Sequence, residues 1–258
     1  MDSAEEGIFR DPFTGETLIE TEQGLVNPVT GRSYPDRHGY YDFLQERGLQ
    51  GDNRKYSVFY DRIAWVYNFS SRFFLFLKFG GEGRARREFL GELAIAAGDR
   101  VLEVSIGTGD NLPYLNRNAR YFGIDISQGM LRMAVRHLRR WRIPARLCRA
   151  EAERLPFGDD SFEVVFHHGG INYFNDKELA IREMIRVAKP GATILISDET
   201  AAAVRAIYQK NPLSAKLYRD DSAAVAPVDL VPETMQDLRV KIVYQGLVYC
   251  LIFKKPLS

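Results

Sequence analysis

The segment from Val101 to Asn111, which reads VLEVSIGTGDN, constrains the fold more than any other part of the chain. A short apolar run ends in the carboxylate Glu103 and is followed at once by a turn that contains Gly107 and Gly109. Glycine permits a tight turn and a close approach of the backbone to a ligand, because it has no Cβ. The segment therefore predicts a buried strand whose carboxyl end meets a nucleotide-type cofactor.

Two features argue against a dinucleotide cofactor. The dinucleotide motif G-x-G-x-x-G needs a third glycine where this chain has Leu112. In addition, Glu103 would face the anionic pyrophosphate, which normally rests on a helix N-terminus. S-adenosylmethionine carries a sulfonium, an ammonium group, two ribose hydroxyls and an adenine amino group, so its site should be rich in acceptors. The segment therefore favours S-adenosylmethionine.

Carboxylates also end the next two predicted strands. The stretch ARYFGIDIS contains a strand that ends at Asp125, 18 positions after Gly107, a spacing suited to an acid that binds the ribose. The stretch ARLCRAEAERLPF ends a third strand at Glu151, where a carboxylate can approach the adenine edge. One polar strand end has an ordinary explanation, because strand ends face solvent. Three such acids at this spacing favour one cofactor site.

With these motifs the chain resembles the class I S-adenosylmethionine-dependent methyltransferases. The segments LPFGDDSFEVVF, EMIRVAKPGATILISDE and LVYCLIFKKP extend the resemblance from Tyr56 to Pro256. Together they look most like the group that contains ubiquinone/menaquinone C-methyltransferases and many small-molecule methyltransferases. The resemblance implies an α/β fold: a doubly wound, Rossmann-like methyltransferase sheet of seven strands in the order 3-2-1-4-5-7-6.

The motifs and the resemblance together assign a set of residues to S-adenosylmethionine. One departure is Ser105, which stands where the family has its first glycine. Its Cβ and hydroxyl are expected beside the methionine moiety, where they tighten the pocket or bind the ligand. The assigned residues lie in the glycine turn and after the second and third strands: Glu103, Ser105, Gly107, Thr108, Gly109, Asn111, Asp125, Ile126, Met130, Glu151 and Ala152.

The resemblance places acceptor-side chemistry at the end of the fourth strand, where the sequence reads HHGG from His167. Methyl transfer from a sulfonium is an in-line displacement, so the protein mainly aligns donor and acceptor and excludes water. A base is needed only if the acceptor loses a proton, and histidine near its ordinary pKa suits that role. His168 is our first choice of base and His167 our second, with packing as the alternative for either.

The stretch from Tyr56 to Phe79 contains ten aromatic residues. Core packing explains part of this, but FFLFLKF is apolar on too many faces for an ordinary surface helix. In the resembled family this region covers the acceptor pocket, which implies a small, flat, apolar acceptor, aromatic or quinone-like, or contact with a lipid surface. The residues expected to line the substrate pocket are Tyr56, Tyr60, Tyr67, Asn172 and Tyr173.

The first 50 residues are organised differently, because DPFTG at 11–15 recurs as NPVTG at 27–31. The paired turns resemble the knuckles of a small zinc ribbon, which often precedes methyltransferase domains of this kind. A structural zinc site needs four strong ligands, and the cysteine positions hold Asp11, Thr14, Asn27 and Thr30. We therefore expect a metal-free β-appendage over residues 1–50, or alternatively a flexible tail, and a methyltransferase domain over residues 51–258.

Charge and composition narrow the class further. The net charge of +1 gives no nucleic-acid footprint, and the arginine cluster between residues 132 and 149 is expected to form a solvated helix face. Two cysteines, Cys148 and Cys250, are expected as buried thiols rather than a disulfide framework. The N-terminus lacks an apolar signal region and no run approaches 18 apolar residues, so we expect a cytoplasmic enzyme without a membrane span.

Some alternatives stay open at this point. An RNA or lipid-headgroup methyltransferase would use the arginine cluster, and a catalytically silent homologue would keep the fold without the reaction. The segment from Ser222 to Pro232 is expected to be a loop before a closing hairpin near 238–254, and such a loop suits a lid or a homodimer contact. Peripheral membrane contact also stays open.

Overall fold

The computed structural model describes residues 7–44, 49, 51, 53–54, 57, 82–205 and 224–257. The strands are β1 Ile19–Thr21, β2 Gly24–Val26, β3 Ser33–Pro35, β4 Tyr40–Asp42, β5 Arg100–Val104, β6 Arg120–Asp125, β7 Ala145–Arg149, β8 Phe162–His168, β9 Ala188–Glu199, β10 Gln236–Val243 and β11 Val248–Lys254. The longer helices are α1 Glu82–Leu90, α2 Gln128–Trp141 and α3 Lys177–Val187. Shorter helical turns are Leu112–Tyr114, Ile171–Tyr173, Ala201–Ala203, Val228–Leu230 and Tyr244–Gly246.

The central sheet has the strand order β10-β11-β9-β8-β5-β6-β7-β4. When the edge strand β4 is left out and the sheet is read from β7 to β10, the seven strands follow the predicted order 3-2-1-4-5-7-6. That prediction is therefore confirmed. The inner strands are parallel, and only β11 runs antiparallel, between β9 and β10. The predicted closing hairpin is therefore formed by β10 and β11.

Side chains alternate between the two faces of the sheet, and each face is covered by helices. Along β5, Leu102 and Val104 pack into the core layer that contains α3 and the apolar residues of the N-terminal segment. Val101 packs into the opposite layer, with residues of α1 and α2. Because parallel strands buried on both faces read as nearly continuous apolar runs, the motif strand could be recognised without an alternating pattern.

The N-terminal repeat forms two equivalent turns beside the small antiparallel sheet β1-β2-β3. In the first turn the Asp11 carboxylate accepts the Phe13 N–H at 2.9 Å, and in the second the Asn27 side chain accepts the Val29 N–H at 2.9 Å. The turns are linked directly, because Asn27 Nδ2 donates to Asp11 Oδ2 at 2.8 Å and to Thr14 Oγ1 at 3.1 Å. Positions that would carry zinc ligands in a zinc ribbon thus hydrogen-bond to one another.

The appendage is joined to the methyltransferase sheet by β4, which pairs in parallel with β7. Arg146 supports this joint by an ion pair with Glu20 at 2.6 Å, and Arg149 lies 3.5 Å from the buried carboxylate of Asp42. The expectation of a solvated face is therefore wrong for Arg146 and Arg149. The remaining residues of the cluster are exposed: Arg132, Arg136, Arg139, Arg140 and Arg142.

Two further expectations about burial and membranes can be compared with the structure. Cys148 on β7 and Cys250 on β11 are both buried free thiols, as predicted. Within the described ranges, no helix is long and apolar enough to cross a bilayer.

Candidate active site

The three predicted acids lie at one edge of the sheet. Glu103 is on β5, Asp125 ends β6, and Glu151 follows β7 by two residues. These strands are neighbours and parallel, so their carboxyl ends meet. In open α/β sheets this edge is where ligands bind, next to the point at which the strand order reverses.

Glu103 is a buried carboxyl group, with 1% of its surface exposed. Its Oε1 accepts a hydrogen bond from Asn111 Nδ2 at 2.5 Å, whereas no described residue hydrogen-bonds its Oε2. Burial raises the pKa of Glu103 to about 8, against the opposing effects of Asn111 and of the Arg86 charge. A buried acceptor of this kind is costly unless a donor reaches it, so the site fits a cationic ligand group.

Arg86 is a functional candidate that the sequence reasoning missed. It lies on α1, is buried, and donates from Nη1 to Asn111 Oδ1. Asn111 therefore bridges a guanidinium and a carboxylate in the order Arg86–Asn111–Glu103. No local pattern separates Arg86 from the neighbouring arginines of α1, so only the fold could identify it.

The glycine turn is held against Asp125, the acid predicted to bind the ribose. Gly107 has φ +57° and its N–H donates to Asp125 Oδ2 at 2.9 Å. Asp125 Oδ1 accepts the N–H of Ser127 at 2.8 Å, and this serine in turn caps α2 by accepting the Met130 N–H. Asp125 thus fixes the turn and the start of the helix, and its second lone pairs are suited to ribose hydroxyls.

Ser105 adopts φ +60°, in the left-handed region that favours glycine. This conformation explains why the resembled family has glycine here, since a Cβ in this region is strained. Gly109 also has a positive φ, of +78°. Between the two glycines of this turn, the predicted cofactor residue Thr108 is buried, and its hydroxyl donates to Asp110 Oδ2 at 2.7 Å.

The predicted adenine side brings together Ile126, Met130, Glu151 and Ala152. Ile126 is half-buried and its carbonyl accepts hydrogen bonds from Arg149 Nε at 3.1 Å and Ser57 Oγ at 3.3 Å. Met130 and Ala152 are buried, and Ala152 belongs to the core layer on the α3 side. Ile126 and Glu151 are thus the half-buried members of this set, and Met130 and Ala152 are its buried apolar members.

His167 is not available as a base. Its side chain is completely buried, and both ring nitrogens are engaged. Because a carbonyl oxygen only accepts, Nδ1 donates to Val104 O at 3.0 Å, and Nε2 accepts the Ile171 N–H at 3.0 Å. Burial lowers the pKa of His167 to about 4. His167 joins β5, β8 and the following turn, and these contacts fit the packing alternative for our second choice of base.

His168 lies on the opposite face and presents a different ring. With the single Ser197 hydroxyl proton assigned to His167 O at 3.2 Å, the 2.7 Å contact of Ser197 Oγ with His168 Nδ1 assigns the ring proton to Nδ1. Nε2 is then the acceptor, and no described residue hydrogen-bonds it. The ring stacks on Phe89 with centroids 4.2 Å apart. Burial and the Arg86 charge lower the pKa of His168 to about 3, so the imidazole is neutral at physiological pH.

The predicted substrate-pocket residues are described only in part. Tyr56, Tyr60 and Tyr67 lie outside the described residues, and so does the side chain of Tyr173. Asn172 is buried and structural: its Nδ2 donates to Glu199 O at 3.2 Å, and its Oδ1 accepts from Tyr249 Oη at 3.3 Å. Among the described residues, no group of His, Cys, Asp and Glu is arranged to hold a metal ion.

Comparison with known proteins extends the resemblance. Residues 102–196 match the family described as "Methyltransferase domain". The ubiquinone/menaquinone biosynthesis C-methyltransferase UbiE of Syntrophotalea carbinolica is 33% identical over 175 residues, which are 65% of this chain and 68% of that protein. A demethylmenaquinone methyltransferase of Renibacterium salmoninarum is 30% identical over 143 residues, 55% of this chain and 57% of the relative.

Solved structures agree on the fold. The [4+2]-cyclase SpnF aligns with a TM-score of 0.59 at 16% identity, over 81% of this chain and 98% of its own. The PH0226 protein of Pyrococcus horikoshii aligns with a TM-score of 0.53 at 17% identity, over 67% of this chain and 91% of its own. Sequence identities this low support a shared fold and nothing more. A cyclase with this fold shows that the fold does not determine the reaction.

The assignment depends on the sequence relatives and on the fit of the site. The groups at the carboxyl edge fit S-adenosylmethionine: Glu103 has an acceptor for a cation, Arg86 has a guanidinium for an anion, and Asp125 has acceptors for hydroxyls. The chain belongs to the class I S-adenosylmethionine-dependent methyltransferases, with S-adenosylmethionine as its cofactor.

Proposed function

We propose that this methyltransferase acts on a small, flat, quinone-like acceptor and methylates a ring carbon or a ring hydroxyl. The observation that carries the cofactor part of the proposal lies at the end of β5. There the Glu103 carboxyl, whose Oε2 is hydrogen-bonded by no described residue, and the buried Arg86 guanidinium lie on either side of Asn111. An amino-acid head group carries one ammonium and one carboxylate. The pair therefore fits the methionine end of the cofactor, which Glu103, Asn111 and Arg86 would hold.

The acceptor side is argued from His168 and Phe89. The half-buried His168 ring is backed by the buried Phe89 ring, with the two planes tilted by only 13°, and it offers a flat wall with one hydrogen-bond acceptor, Nε2. A ring with a hydroxyl group matches such a wall in shape and in hydrogen bonding. The names of the two sequence relatives specify quinone methylation for those proteins, and this supports a quinone-like acceptor here.

The residues of the chain have limited tasks in the reaction. When bound, S-adenosylmethionine supplies an electrophilic methyl group. Glu103, Asn111 and Arg86 would hold its methionine end, and the acceptor would gain the methyl group and lose one proton to water. His168 Nε2 accepts a hydrogen bond from the acceptor hydroxyl, which raises the electron density of the ring. Alignment and exclusion of water account for most of the rate.

Binding and turnover measurements test the proposal. Calorimetry with S-adenosylmethionine, S-adenosylhomocysteine and NADH should show binding of the first two only. Asp125→Ala should weaken cofactor binding by about 1–3 kcal/mol if it accepts a ribose hydrogen bond. The control is Asp229→Ala, at an exposed position in the turn before β10, which should leave the affinity unchanged.

Turnover is measured with isotope-labelled S-adenosylmethionine and a reduced naphthoquinone that lacks its ring methyl group. Mass spectrometry should detect label on the ring of the product. Tight NADH binding without S-adenosylmethionine binding would overturn the cofactor assignment. Label transfer to RNA or to a lipid headgroup, but not to the quinol, would refute the proposed acceptor and support the alternatives that use the exposed arginines.

A further inference from the structure

A short N-terminal segment contacts the predicted adenine side of the groove at two points. Asn53 is 3% exposed, and its Nδ2 donates to Glu151 Oε1 at 3.0 Å and to Glu153 Oε1 at 3.2 Å. Four residues later, Ser57 is also buried and donates to Ile126 O at 3.3 Å. The segment therefore reaches both strand ends, after β6 and after β7, between which a purine would lie.

The two glutamates that share Asn53 have different surroundings. Glu153 is buried, and besides Asn53 it accepts the N–H of Asp176 at 3.3 Å, so it is a structural acceptor. Burial raises its pKa, and the charge of Glu151 adds to that effect. Glu151 is half-buried, and Asn53 binds only its Oε1. Its Oε2 keeps its acceptor capacity for a ligand.

An amide between two carboxylates fixes their orientation. Two neighbouring carboxylates repel each other, and each turns away unless a donor holds it. The Asn53 amide offers two N–H donors, one for each glutamate. The backbone that carries this side chain is also held, because the main-chain N–H of Asn53 donates to Asn175 Oδ1 at 3.3 Å. Glu151 thus has a defined rotamer before any ligand arrives.

We propose that Asn53 is a positioning residue that orients Glu151 toward the 6-amino group of the cofactor's adenine, and so sets the preference for a 6-amino over a 6-oxo purine. A carboxylate accepts from an amino group but repels a carbonyl oxygen, so the preference depends on where Glu151 is held. The inference rests on the proposed cofactor site. It adds a determinant of specificity that lies outside the methyltransferase motifs.

The test compares the affinities for S-adenosylhomocysteine and for S-inosylhomocysteine, its 6-oxo counterpart, by calorimetry on the full-length protein. The wild type should prefer the 6-amino ligand roughly tenfold to a hundredfold, the range expected for a hydrogen bond to a charged group. Asn53→Ala should reduce this ratio below about threefold, mainly by weakening the 6-amino ligand. Glu151→Gln should also remove most of the ratio.

Controls separate positioning from a general structural role. Ser57→Ala alters the same segment but not its contact with Glu151, and Glu153→Gln alters the structural acceptor, so both should retain the ratio. If Asn53→Ala does not fold, Asn53→Ser gives the same reading, because one hydroxyl donor serves only one of the two carboxylates.

The failures are distinguishable. An unchanged ratio in Asn53→Ala, with equal losses for both ligands, would show a purely structural role and overturn the inference while the cofactor site stands. Tighter binding of S-adenosylhomocysteine by Asn53→Ala would overturn it too, because the amide would then occupy the place of the adenine amino group. A wild type that binds neither ligand would refute the proposed cofactor site and the inference together.

Discussion

The link between the two N-terminal turns makes the substitution Asn27→Asp a sharp test of how the appendage is held together. Asn27 is fully buried, and its Nδ2 donates to Asp11 Oδ2 at 2.8 Å. Burial opposes ionisation of Asp11, but the hydrogen bonds from Asn27 and from the Phe13 N–H outweigh it, and the pKa of Asp11 is lowered. The substitution replaces the donor by a second carboxylate oxygen at almost the same position.

The magnitude follows from the charges. At about 3 Å and an effective dielectric constant near 20, two unit charges repel by about 5 kcal/mol. The pair takes up a proton instead, since raising one carboxyl pKa from about 4 to above 7 costs about 4 kcal/mol at pH 7. We therefore expect Asn27→Asp to lower the free energy of unfolding of the appendage by about 3–4 kcal/mol at pH 7.

The stability of the appendage should depend on pH with opposite signs in the wild type and in Asn27→Asp. In the wild type the folded pKa of Asp11 is below its unfolded value, so its stabilising effect is complete above pH 4 and is lost as the pH falls through the folded pKa. In Asn27→Asp the shared pKa is raised in the folded state, so the variant should gain stability as the pH falls from 7 toward 5, by about 1.4 kcal/mol per unit.

The repeat supplies a matched control. Asp11 and Asn27 occupy equivalent turn positions, and their backbone carbonyls accept the N–H groups of Gly15 and Gly31 at 2.8 and 2.9 Å. The double variant Asp11→Asn/Asn27→Asp restores one donor and one carboxylate. Urea unfolding and amide exchange over residues 8–34 should place it within about 1 kcal/mol of the wild type. The reasoning is refuted if the double variant is as unstable as Asn27→Asp, or if acid does not stabilise the single variant.

Four other results are expected. Ser105→Gly should raise the free energy of unfolding by about 1 kcal/mol in urea, because it removes a Cβ from a left-handed backbone, and an unchanged or lower value would contradict this. Asp42→Ala should destabilise the protein by about 1–3 kcal/mol and weaken cofactor binding about threefold to tenfold through Arg149, whereas Glu178→Ala, in an exposed helix pair, should cost less than about 0.5 kcal/mol. His168→Ala should lower turnover by roughly tenfold with cofactor affinity intact, because it removes one hydrogen bond to the acceptor hydroxyl. The wild-type rate should show no inflection from this histidine between pH 6 and 9, because its pKa is about 3. Full activity of the variant would make His168 a packing residue. Elemental analysis after chelator dialysis should find no zinc, and retained zinc that is lost on removing residues 1–45 would contradict the expectation.

The features that the sequence predicted are those carried by local pattern. The strand order was implied by the family resemblance. The meeting of Glu103, Asp125 and Glu151 could be predicted because buried parallel strands are short apolar runs and their carboxyl ends share one edge. Alternation predicted that His167 and His168 face different layers. It could not tell which ring is saturated, because the partners of His167, the Val104 carbonyl and the Ile171 N–H, are set by the pairing of β5 with β8 and by the turn that follows.

Contacts between residues far apart in the sequence were not predicted, because no local pattern indicates them. The strand β4 has only three residues and pairs with β7, which is about 100 positions away in the sequence. Arg86 looks like its neighbours on α1, and Asn53 belongs to no motif. Each acquires a role only when the fold brings it to Asn111 or to Glu151. Propensity and periodicity describe the element that carries a side chain, not the partner that it meets.

Residues from two parts of the chain therefore form the proposed cofactor site. The sheet supplies its acids and its glycine turn, which short motifs encode. Residues before the first motif strand complete both ends of the proposed cofactor site. Arg86 lies at the proposed methionine end, Asn53 contacts Glu151, and Asp42 lies 3.5 Å from Arg149 near the proposed purine end. Arg149 Nε in turn donates to the carbonyl of Ile126, the residue after Asp125. A substitution in β4 that displaces Arg149 should therefore alter the proposed purine side of the site. Removal of the appendage should accordingly weaken cofactor binding even though the motif residues stay in place.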